Sequence, residues 1–237
     1  MLPAAILALL ASCGGNGNAP GSQPADDAQE TPKKSGKNMV EKSFFVGSQF
    51  SFITNLSSVN IVYTQGNYSV TAKADSAMLK YLDLQFDSNL LTVNLGHDNN
   101  SDFNLYGTTN DITLYVSSPK LECMSICGNG SITSRGTLNV DTLQLGVMGT
   151  GELKLDTVRC GALSLLSAAT GNVSIAHLQG REASILSRSS ATITADVDLK
   201  RLTVSNDGTQ TISLRGHAGE VYIRNTKDKK LDISKLK

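Results

Sequence analysis

Apolar and polar residues alternate in short runs over the second half of the chain, and the runs recur about every twenty residues. Between residues 121 and 234 each unit has one alternating run, a corner of small residues and a second alternating run. The corners are centred on Gly130, Gly151, Gly171, Ala191, Gln210 and Lys229. A period of this length combined with two-residue alternation is typical of a solenoid whose strands stack coil on coil.

Alignment of the units on their corners places the apolar residues in columns. Residues two apart share one face of a strand, so these columns are predicted to point into the solenoid. The columns are Leu143, Leu163, Ala183, Leu202 and Val221; Met124, Leu145, Leu165, Ile185, Val204 and Ile223; Ile132, Leu153, Val173, Ile193, Ile212 and Leu231; Leu155, Ile175, Ala195, Leu214 and Ile233. A weaker column, Leu138, Val158, Leu178 and Val197, predicts a third side to each coil.

The pattern predicts an all-β protein, a single-stranded parallel β-helix or β-solenoid with about 20 residues per coil. A helical solenoid is disfavoured, because no unit shows the i, i+3, i+4 spacing and β-branched residues fill the inward positions. The corner glycines are interpreted as turn residues that reach positive φ at low cost. Gly128-Asn129-Gly130 and Gly149-Thr150-Gly151 are not phosphate loops on this reading, because a strand follows each of them where a helix is needed.

The repeats are assigned to residues 119–237, and residues 41–118 are predicted to form a β-rich N-terminal half that supplies a cap and the first coils. A solenoid end exposes strand edges, which a cap protects. Hairpins are expected around Gln65-Gly66-Asn67 and Asp87-Ser88-Asn89, and a helical turn between Asp75 and Tyr81. At the other end, lysines suited to protecting the last edge are Lys227, Lys229, Lys230, Lys235 and Lys237.

Residues 1–13 form an apolar run too short to span a bilayer, which is typical of a signal peptide. The run ends in Leu10-Ala11-Ser12-Cys13, which resembles a bacterial lipobox. That resemblance implies cleavage before Cys13 and a lipid on Cys13, so a membrane anchor in the cell envelope, at the outer membrane, is expected. Residues 14–40 are rich in Gly, Asn, Pro and charge and are predicted to be a flexible tether.

Three segments resemble a known family: Ile126-Cys127-Gly128-Asn129-Gly130-Ser131-Ile132, Gly149-Thr150-Gly151-Glu152-Leu153, and the stretch from Leu114 to Leu121. They are similar to the putative auto-transporter adhesin, head GIN domain family, a bacterial domain of unknown function, and the resemblance extends over about residues 44–233. It implies a right-handed parallel β-helix-like fold in a cell-envelope protein. It carries over no catalytic residues.

The amino-acid composition limits the classes of binding partner that are expected. Lys plus Arg and Asp plus Glu number 21 each, so the chain is neutral and offers no electrostatic case for nucleic acid. No cofactor or metal is expected. Asp98-Asn99-Asn100-Ser101-Asp102 loosely resembles the start of a calcium loop, but Phe103 stands where that loop needs glycine.

The sequence gives no indication of a disulfide or a catalytic triad among its cysteines and histidines. Cys123 and Cys127 lie too far apart on one strand to form a disulfide, and Cys160 is expected in the core. The three histidines, His97, His177 and His217, have no partners at triad spacing.

Three features of the outward positions are predicted. Leu166 and Leu186 should form a small apolar patch on successive coils, which is a candidate binding surface. Glu182, Arg201 and Glu220 should stack as a charge ladder. Ser76, Thr142 and Thr157 stand in Asp-Ser/Thr-aliphatic triplets that resemble the O-glycosylation site of some Gram-negative envelope proteins.

The function expected is that of a non-catalytic cell-envelope lipoprotein, adhesin-like, with a glycan or protein ligand, or else a purely structural role. The alternative is a glycan-active enzyme on a β-helix scaffold, a polysaccharide lyase or hydrolase, for which Arg188 and Asp207 are the nearest candidates. Such an enzyme needs a cluster of carboxylates on one outer face.

Overall fold

A computed structural model of the chain describes residues 38–96, 112–224 and 231–237. It is almost entirely β-structure, with about five solenoid coils of about 20 residues each, and it confirms the predicted fold class. One 3-10 turn spans Leu79–Tyr81. The strands are β1 (Met39–Phe44), β2 (Phe50–Asn55), β3 (Asn60–Gln65), β4 (Ser69–Asp75), β5 (Leu82–Asp87), β6 (Asn89–Leu95), β7 (Thr113–Ser118), β8 (Cys123–Ile126), β9 (Ile132–Ser134), β10 (Thr137–Val147), β11 (Leu153–Ser167), β12 (Val173–Ser187), β13 (Ile193–Asn206), β14 (Ile212–Arg224) and β15 (Leu231–Leu236).

Each coil has three faces. Face 1 precedes the corner and contains residues 123–126, 142–147, 162–167, 182–187, 201–206 and 220–224. Face 2 follows the corner and contains residues 132–134, 153–155, 173–175, 193–195, 212–214 and 231–233. Face 3 links face 2 to the next face 1, through residues 137–140, 157–160, 178–180, 197–199 and 216–218.

Successive coils pair in parallel with the register that the sequence predicts. Leu165 on β11 lies opposite Leu145 of the coil below and Ile185 of the coil above, and the other columns align in the same way. The register shifts after Ile175 between β12 and β13, and after Ser213 between β14 and β15. The predicted corner at Lys229 lies outside the described residues.

The core is the set of inward columns, but the columns are open at the last coil. Leu202 and Val204 are fully buried, whereas Val221 and Ile223, in register directly above them, are 37% and 47% exposed. The predicted register is therefore right and the predicted burial of these two residues is wrong. The reason is that β15 pairs with β14 only over face 2 and the start of face 3.

The corner glycines have a different cause from the one that the sequence suggests. Among the described glycines, only Gly136 and Gly216 have positive φ. A Cβ atom on Gly151 would lie 1.8 Å from the carbonyl oxygen of Gly130, and one on Gly171 would lie 2.0 Å from that of Gly151. The corners stack so closely on the coil below that a side chain has no room, and the turn interpretation is wrong for these positions.

Buried polar side chains form hydrogen bonds within the upper corners. The Ser189 hydroxyl lies 2.9 Å from that of Ser167 and 3.2 Å from that of Ser187. In the next corner the Asn206 side chain accepts from the amide of Gly208 at 3.0 Å and donates to the carbonyl of Gln210 at 2.9 Å. These bonds satisfy polar groups that would otherwise be costly to bury.

The first coils do not stack in chain order. β2 and β3 lie directly below β8 and β9, although more than fifty residues separate them in sequence. β6 and β7 then lie below β2 and β3, again in parallel. The chain therefore enters at the second coil, descends to form the lowest one, and returns to build upward.

Antiparallel strands close the lower end. β5 pairs with β6, and β4 pairs with both β1 and β7. The hairpin predicted at Asp87-Ser88-Asn89 is confirmed, and Ser88 and Asn89 both have positive φ. The hairpin predicted at Gln65-Gly66-Asn67 is wrong, because β7 lies between β3 and β4. The helical turn is present, with the Asp75 carboxylate accepting from the Ala77 amide at 2.9 Å.

Candidate functional site

A groove of about 470 Å³ runs up the outer surface of face 1, across four coils. It lies between two columns of outward side chains, those that begin at Thr142 and Gln144. Strand alternation places these columns on either side of the buried Leu143 column. Its polar and small lining residues are Thr142, Gln144, Ala162, Ser164, Glu182, Ser184, Arg201 and Thr203. Ala162 and Ser164 form the centre of the groove, and their small side chains leave space for a ligand.

The charged residues of the groove belong to the predicted ladder. Glu182 is in register with Arg201, and Arg201 with Glu220. The Arg201 Nε donates to Glu220 Oε2 at 2.9 Å, while Glu182 pairs with Arg181 at 3.5 Å. The ladder is confirmed in register, and direct pairing joins only its upper two members. The hydrogen bond from Arg201 holds the pKa of the Glu220 carboxyl below its usual range.

Tyr222 continues the outward column of Ser164 and Thr203 onto the last coil and was not predicted as a site residue. It is 48% exposed, and its hydroxyl donates to Glu220 Oε2 at 3.3 Å. The sequence contains a signal for this residue. The outward column that begins at Gln144 consists of Gln, Ser and Thr, and its continuation onto the next coil gives an aromatic residue, Tyr222. It places an exposed ring at the upper end of the groove.

Face 2 carries a second groove, of about 380 Å³. Ser174, Thr194 and Ser213 form its polar centre, and the ion pair of Arg215 with Asp196, at 3.0 Å, borders it. Like the face 1 groove it is lined by hydroxyls, and Asp232 and Lys235 add further charges to its lining.

The predicted apolar patch is not exposed. Leu166 and Leu186 are in register on neighbouring coils, as the sequence indicates. Leu166, however, is only 3% exposed, and Leu186 is half-buried. Outward alternation fixes the direction of a side chain but not its exposure, so these two residues do not form a binding surface.

The three triplet hydroxyls differ in accessibility. Ser76 is exposed in the segment that precedes the 3-10 turn, and Thr142 is exposed at the lower end of the face 1 groove. Thr157 is half-buried on β11. Cys13 and residues 14–37 of the predicted tether lie outside the described residues, as do His97 and the segment Asp98–Asp102. The predicted end of the tether at residue 40 is wrong, because Met39 and Val40 belong to β1.

The cysteines fall into two groups. Cys123 and Cys160 are free and buried, and burial raises their pKa to about 12 and about 11. Such thiols stay protonated and unreactive near neutral pH. Cys127, which directly follows β8, is half-buried.

The remaining candidates lie apart from the groove. His177 is exposed, and His217 Nδ1 lies 3.7 Å from Asp198 Oδ1 on the neighbouring coil of face 3. Arg188 and Asp207 are exposed on successive corners. In the part of the chain that the structure describes, no group of three or more His, Cys, Asp or Glu side chains is placed to hold a metal ion. Nor does any helix within those residues have the length and apolarity to cross a membrane.

Comparisons with known proteins agree with this architecture. A crystal structure of a putative adhesin from Bacteroides fragilis matches with 16% identity and a TM-score of 0.61, over 81% of this chain and 94% of that one. A putative adhesin from Parabacteroides distasonis matches with 13% identity and a TM-score of 0.55, over 85% and 96%. A putative lipid binding protein from the same species matches with 14% identity and a TM-score of 0.51, over 80% and 93%.

At these identities the structural matches show the fold alone. No curated protein matches the sequence. The family model described as putative auto-transporter adhesin, head GIN domain, matches residues 49–176, which is more than half of the chain. The matched region contains the first three corners and the segments quoted above. The chain belongs to the putative auto-transporter adhesin, head GIN domain family.

Proposed function

We propose that this chain is a non-catalytic, lipid-anchored protein of the cell envelope that binds a neutral linear glycan in the face 1 groove. The observation that carries the proposal is the groove itself, which crosses four coils and is lined by hydroxyls, an amide, one carboxylate and one guanidinium. The family and the structural neighbours, which are named as putative adhesins, support a binding role in the envelope.

The chemistry of the groove fits a chain of sugars. Hydroxyl groups of a glycan both donate and accept, and Ser164, Ser184 and Thr203 present groups that do the same. The coils repeat at about 4.8 Å, so the groove offers a polar contact at regular intervals along an extended ligand. Tyr222 offers an amphipathic ring at one end, a surface suited to the apolar face of a sugar.

Charge indicates a neutral ligand. Glu182 and Glu220 flank the single cation Arg201 in the ladder, and the whole chain is neutral. An acidic polysaccharide would meet a carboxylate on either side of Arg201. Neutral sugars, by contrast, use carboxylates as hydrogen-bond acceptors without repulsion.

The groove is poorly suited to glycan cleavage. A general acid for glycoside hydrolysis needs a carboxyl group with a raised pKa, so that it is protonated near neutral pH. Glu182 is the one carboxylate among the residues that line the groove, whereas glycoside hydrolysis uses two, and the pKa of the neighbouring Glu220 is lowered by Arg201. A depolymerisation assay on any glycan that binds tests this directly, and release of reducing ends or unsaturated products would favour the enzyme.

The binding proposal is tested by a glycan array probed with the full chain. Retention of one or more neutral linear glycans, competed by the same free oligosaccharide, is the expected result. Retention of acidic glycans alone, or of none at all, would contradict it. In the latter case the structural role that the sequence also allows becomes the better account.

The lipid anchor is proposed on the lipobox resemblance at Cys13. Cys13→Ser should release the protein from the membrane fraction, and mass spectrometry of the wild type should show acyl chains on an N-terminal Cys13. A lipidated Cys13 has its sulfur in a thioether and cannot take part in a disulfide. A peptide that links Cys13 to Cys127 through a disulfide would therefore overturn the anchor.

The outer membrane is the proposed location. Fractionation should place the wild type with outer-membrane markers, and Cys13→Ser in the periplasm or medium. Protease treatment of intact cells then separates a surface-facing domain, which is cut, from one that faces the periplasm, which is protected.

O-glycosylation is proposed at the triplets of Ser76, Thr142 and Thr157. The exposed hydroxyls of Ser76 and Thr142 are the ones that a transferase could reach in the folded protein. Because Thr142 lines the groove, a sugar on it would compete with the bound glycan. Peptide mass spectrometry of protein from its native host, with Thr142→Val as control, tests this; unmodified Ser76 and Thr142 would refute it.

A further inference from the structure

The upper end of face 1 is an open strand edge. β14 pairs with β13 along its whole face 1 segment, up to Arg224. On its other side β15 pairs only as far as Gly216, and Lys237 bonds to Gly216 and Ala218. In the described part of the chain, nothing pairs with residues 220–224 on that side. The open segment is five residues long, about 16 Å of extended chain.

The direction of the backbone groups follows from the coils below. The Gln144 amide donates to the Glu122 carbonyl of the preceding coil at 2.8 Å, and Tyr222 occupies the same outward column. The amide and carbonyl of Tyr222 therefore face β13. Because successive residues of a strand face opposite neighbours, those of Val221 and Ile223 face the open side.

The side chains at this edge belong to the core. Val221 and Ile223 are 37% and 47% exposed, while Leu202 and Val204 beneath them are fully buried. A strand laid on this edge would cover two apolar columns and satisfy the amides and carbonyls of Val221 and Ile223. Each column has already accepted an apolar residue from each of the four coils below.

The charges at the two ends of the open segment determine which side chains the added strand must have. Glu220 and Arg224 stand at the two ends of the open segment. Signs alternate up the Glu182, Arg201 and Glu220 ladder, so the next position calls for a cation, and Arg224 calls for an anion. Parallel pairing is expected, because the face 1 strands from β6 to β14 all pair in parallel.

We propose that residues 220–224 bind an extended peptide of a partner protein as an added parallel strand, with the pattern basic, apolar, any, apolar, acidic. This is β-strand addition, in which main-chain bonds give affinity and alternate side chains give specificity. The site adjoins the upper end of the face 1 groove at Tyr222, but the proposal does not rest on glycan binding. The contact is small, so a weak and reversible complex is expected.

The probe is a capped synthetic peptide, Gly-Lys-Val-Thr-Val-Glu-Gly, titrated into the full chain and followed by amide hydrogen exchange. The exchange of Val221 and Ile223 amides should slow at least about fivefold at saturation, while that of Tyr222, already bonded to β13, should not change. The peptide with Lys and Glu interchanged has the same composition and should bind at least about fivefold more weakly. Arg224→Glu should abolish this preference, and Arg159→Glu, at an exposed residue of β11 three coils below, should retain it.

Three results would overturn the proposal. The first is an unchanged exchange of Val221 and Ile223 at high peptide concentration. The second is stronger binding of the interchanged peptide, which indicates an antiparallel strand. The third is protection without peptide that grows with protein concentration, together with a dimer in sedimentation velocity, since the edge would then be an interface between two copies of this chain.

Discussion

Arg201 Nε lies 2.9 Å from Glu220 Oε2, although nineteen positions separate the two residues in the sequence. The contact arises because one coil raises the chain by a single strand spacing and returns each face 1 residue above its predecessor. It is therefore a direct consequence of the register, which also aligns the hydroxyls of the groove. Changes in this pair report on the register as well as on the charges.

Substitution of Arg201 by Glu is expected to lower stability modestly, because it places three carboxylates in one stack. Both partners are well exposed, so the effect should shrink in high salt. The double variant with Glu220→Lys should recover much of the loss. Urea unfolding midpoints measure this, with Lys200→Glu as a control for the charge change. A double variant no more stable than Arg201→Glu would show that the two residues do not interact.

The pH dependence of the same pair follows from the lowered pKa of Glu220. A carboxyl with a lower pKa in the folded state contributes stability above its unfolded pKa, near 4.3. That contribution is lost as the pH falls through the lower folded pKa. Carbon-detected NMR titration should give Glu220 a pKa below the usual Glu range, and Arg201→Ala should return it toward that range. A value insensitive to Arg201→Ala would exclude the pair as the cause.

Gly151→Ala should be strongly destabilising, by about 3 kcal/mol, because the added methyl would overlap the Gly130 carbonyl oxygen in the coil below. Gly66→Ala is the matched control, since its Cβ would meet nothing within 4 Å, and it should stay within about 0.5 kcal/mol. Thermal or urea unfolding of the two variants measures this difference in stability. Equal stability of both would mean that the corners do not stack as closely as described.

Neighbouring positions on β11 test the inward and outward assignment. Leu165 is 1% exposed, so Leu165→Asp would bury an unpaired carboxylate and should cost roughly 4 kcal/mol or more. Ser164, the residue before it, faces the groove, and Ser164→Asp should cost no more than about 0.5 kcal/mol. Similar losses in urea midpoint for the two variants would reject the register.

Much of the solenoid could be predicted, because each coil repeats one local pattern. The Leu165 column and the Arg201 ladder follow from alternation alone, and both were placed correctly. The same alternation could not reveal that Leu166 is buried, since exposure depends on what lies over the face. Nor could it show that the Val221 column ends open, since that depends on how far β15 extends.

The N-terminal part was harder because its pairings are not local. The sequence gives no sign that β7 separates β3 from β4, or that β2 stacks on a strand formed more than thirty residues later. The role of the corner glycines was missed for a related reason. Gly151 is required by a carbonyl group of another coil, and a turn preference read from its own neighbours cannot show that contact.

The face 1 groove is proposed to hold the glycan, and one matched pair of variants tests this most directly. Ser164 in the groove and Ser174 on face 2 are both half-buried serines in outward positions. Isothermal titration of an array-selected oligosaccharide should show at least about a tenfold loss of affinity for Ser164→Trp and an unchanged affinity for Ser174→Trp, at equal thermal stability. Full binding by Ser164→Trp, or its loss in Ser174→Trp alone, would contradict the account.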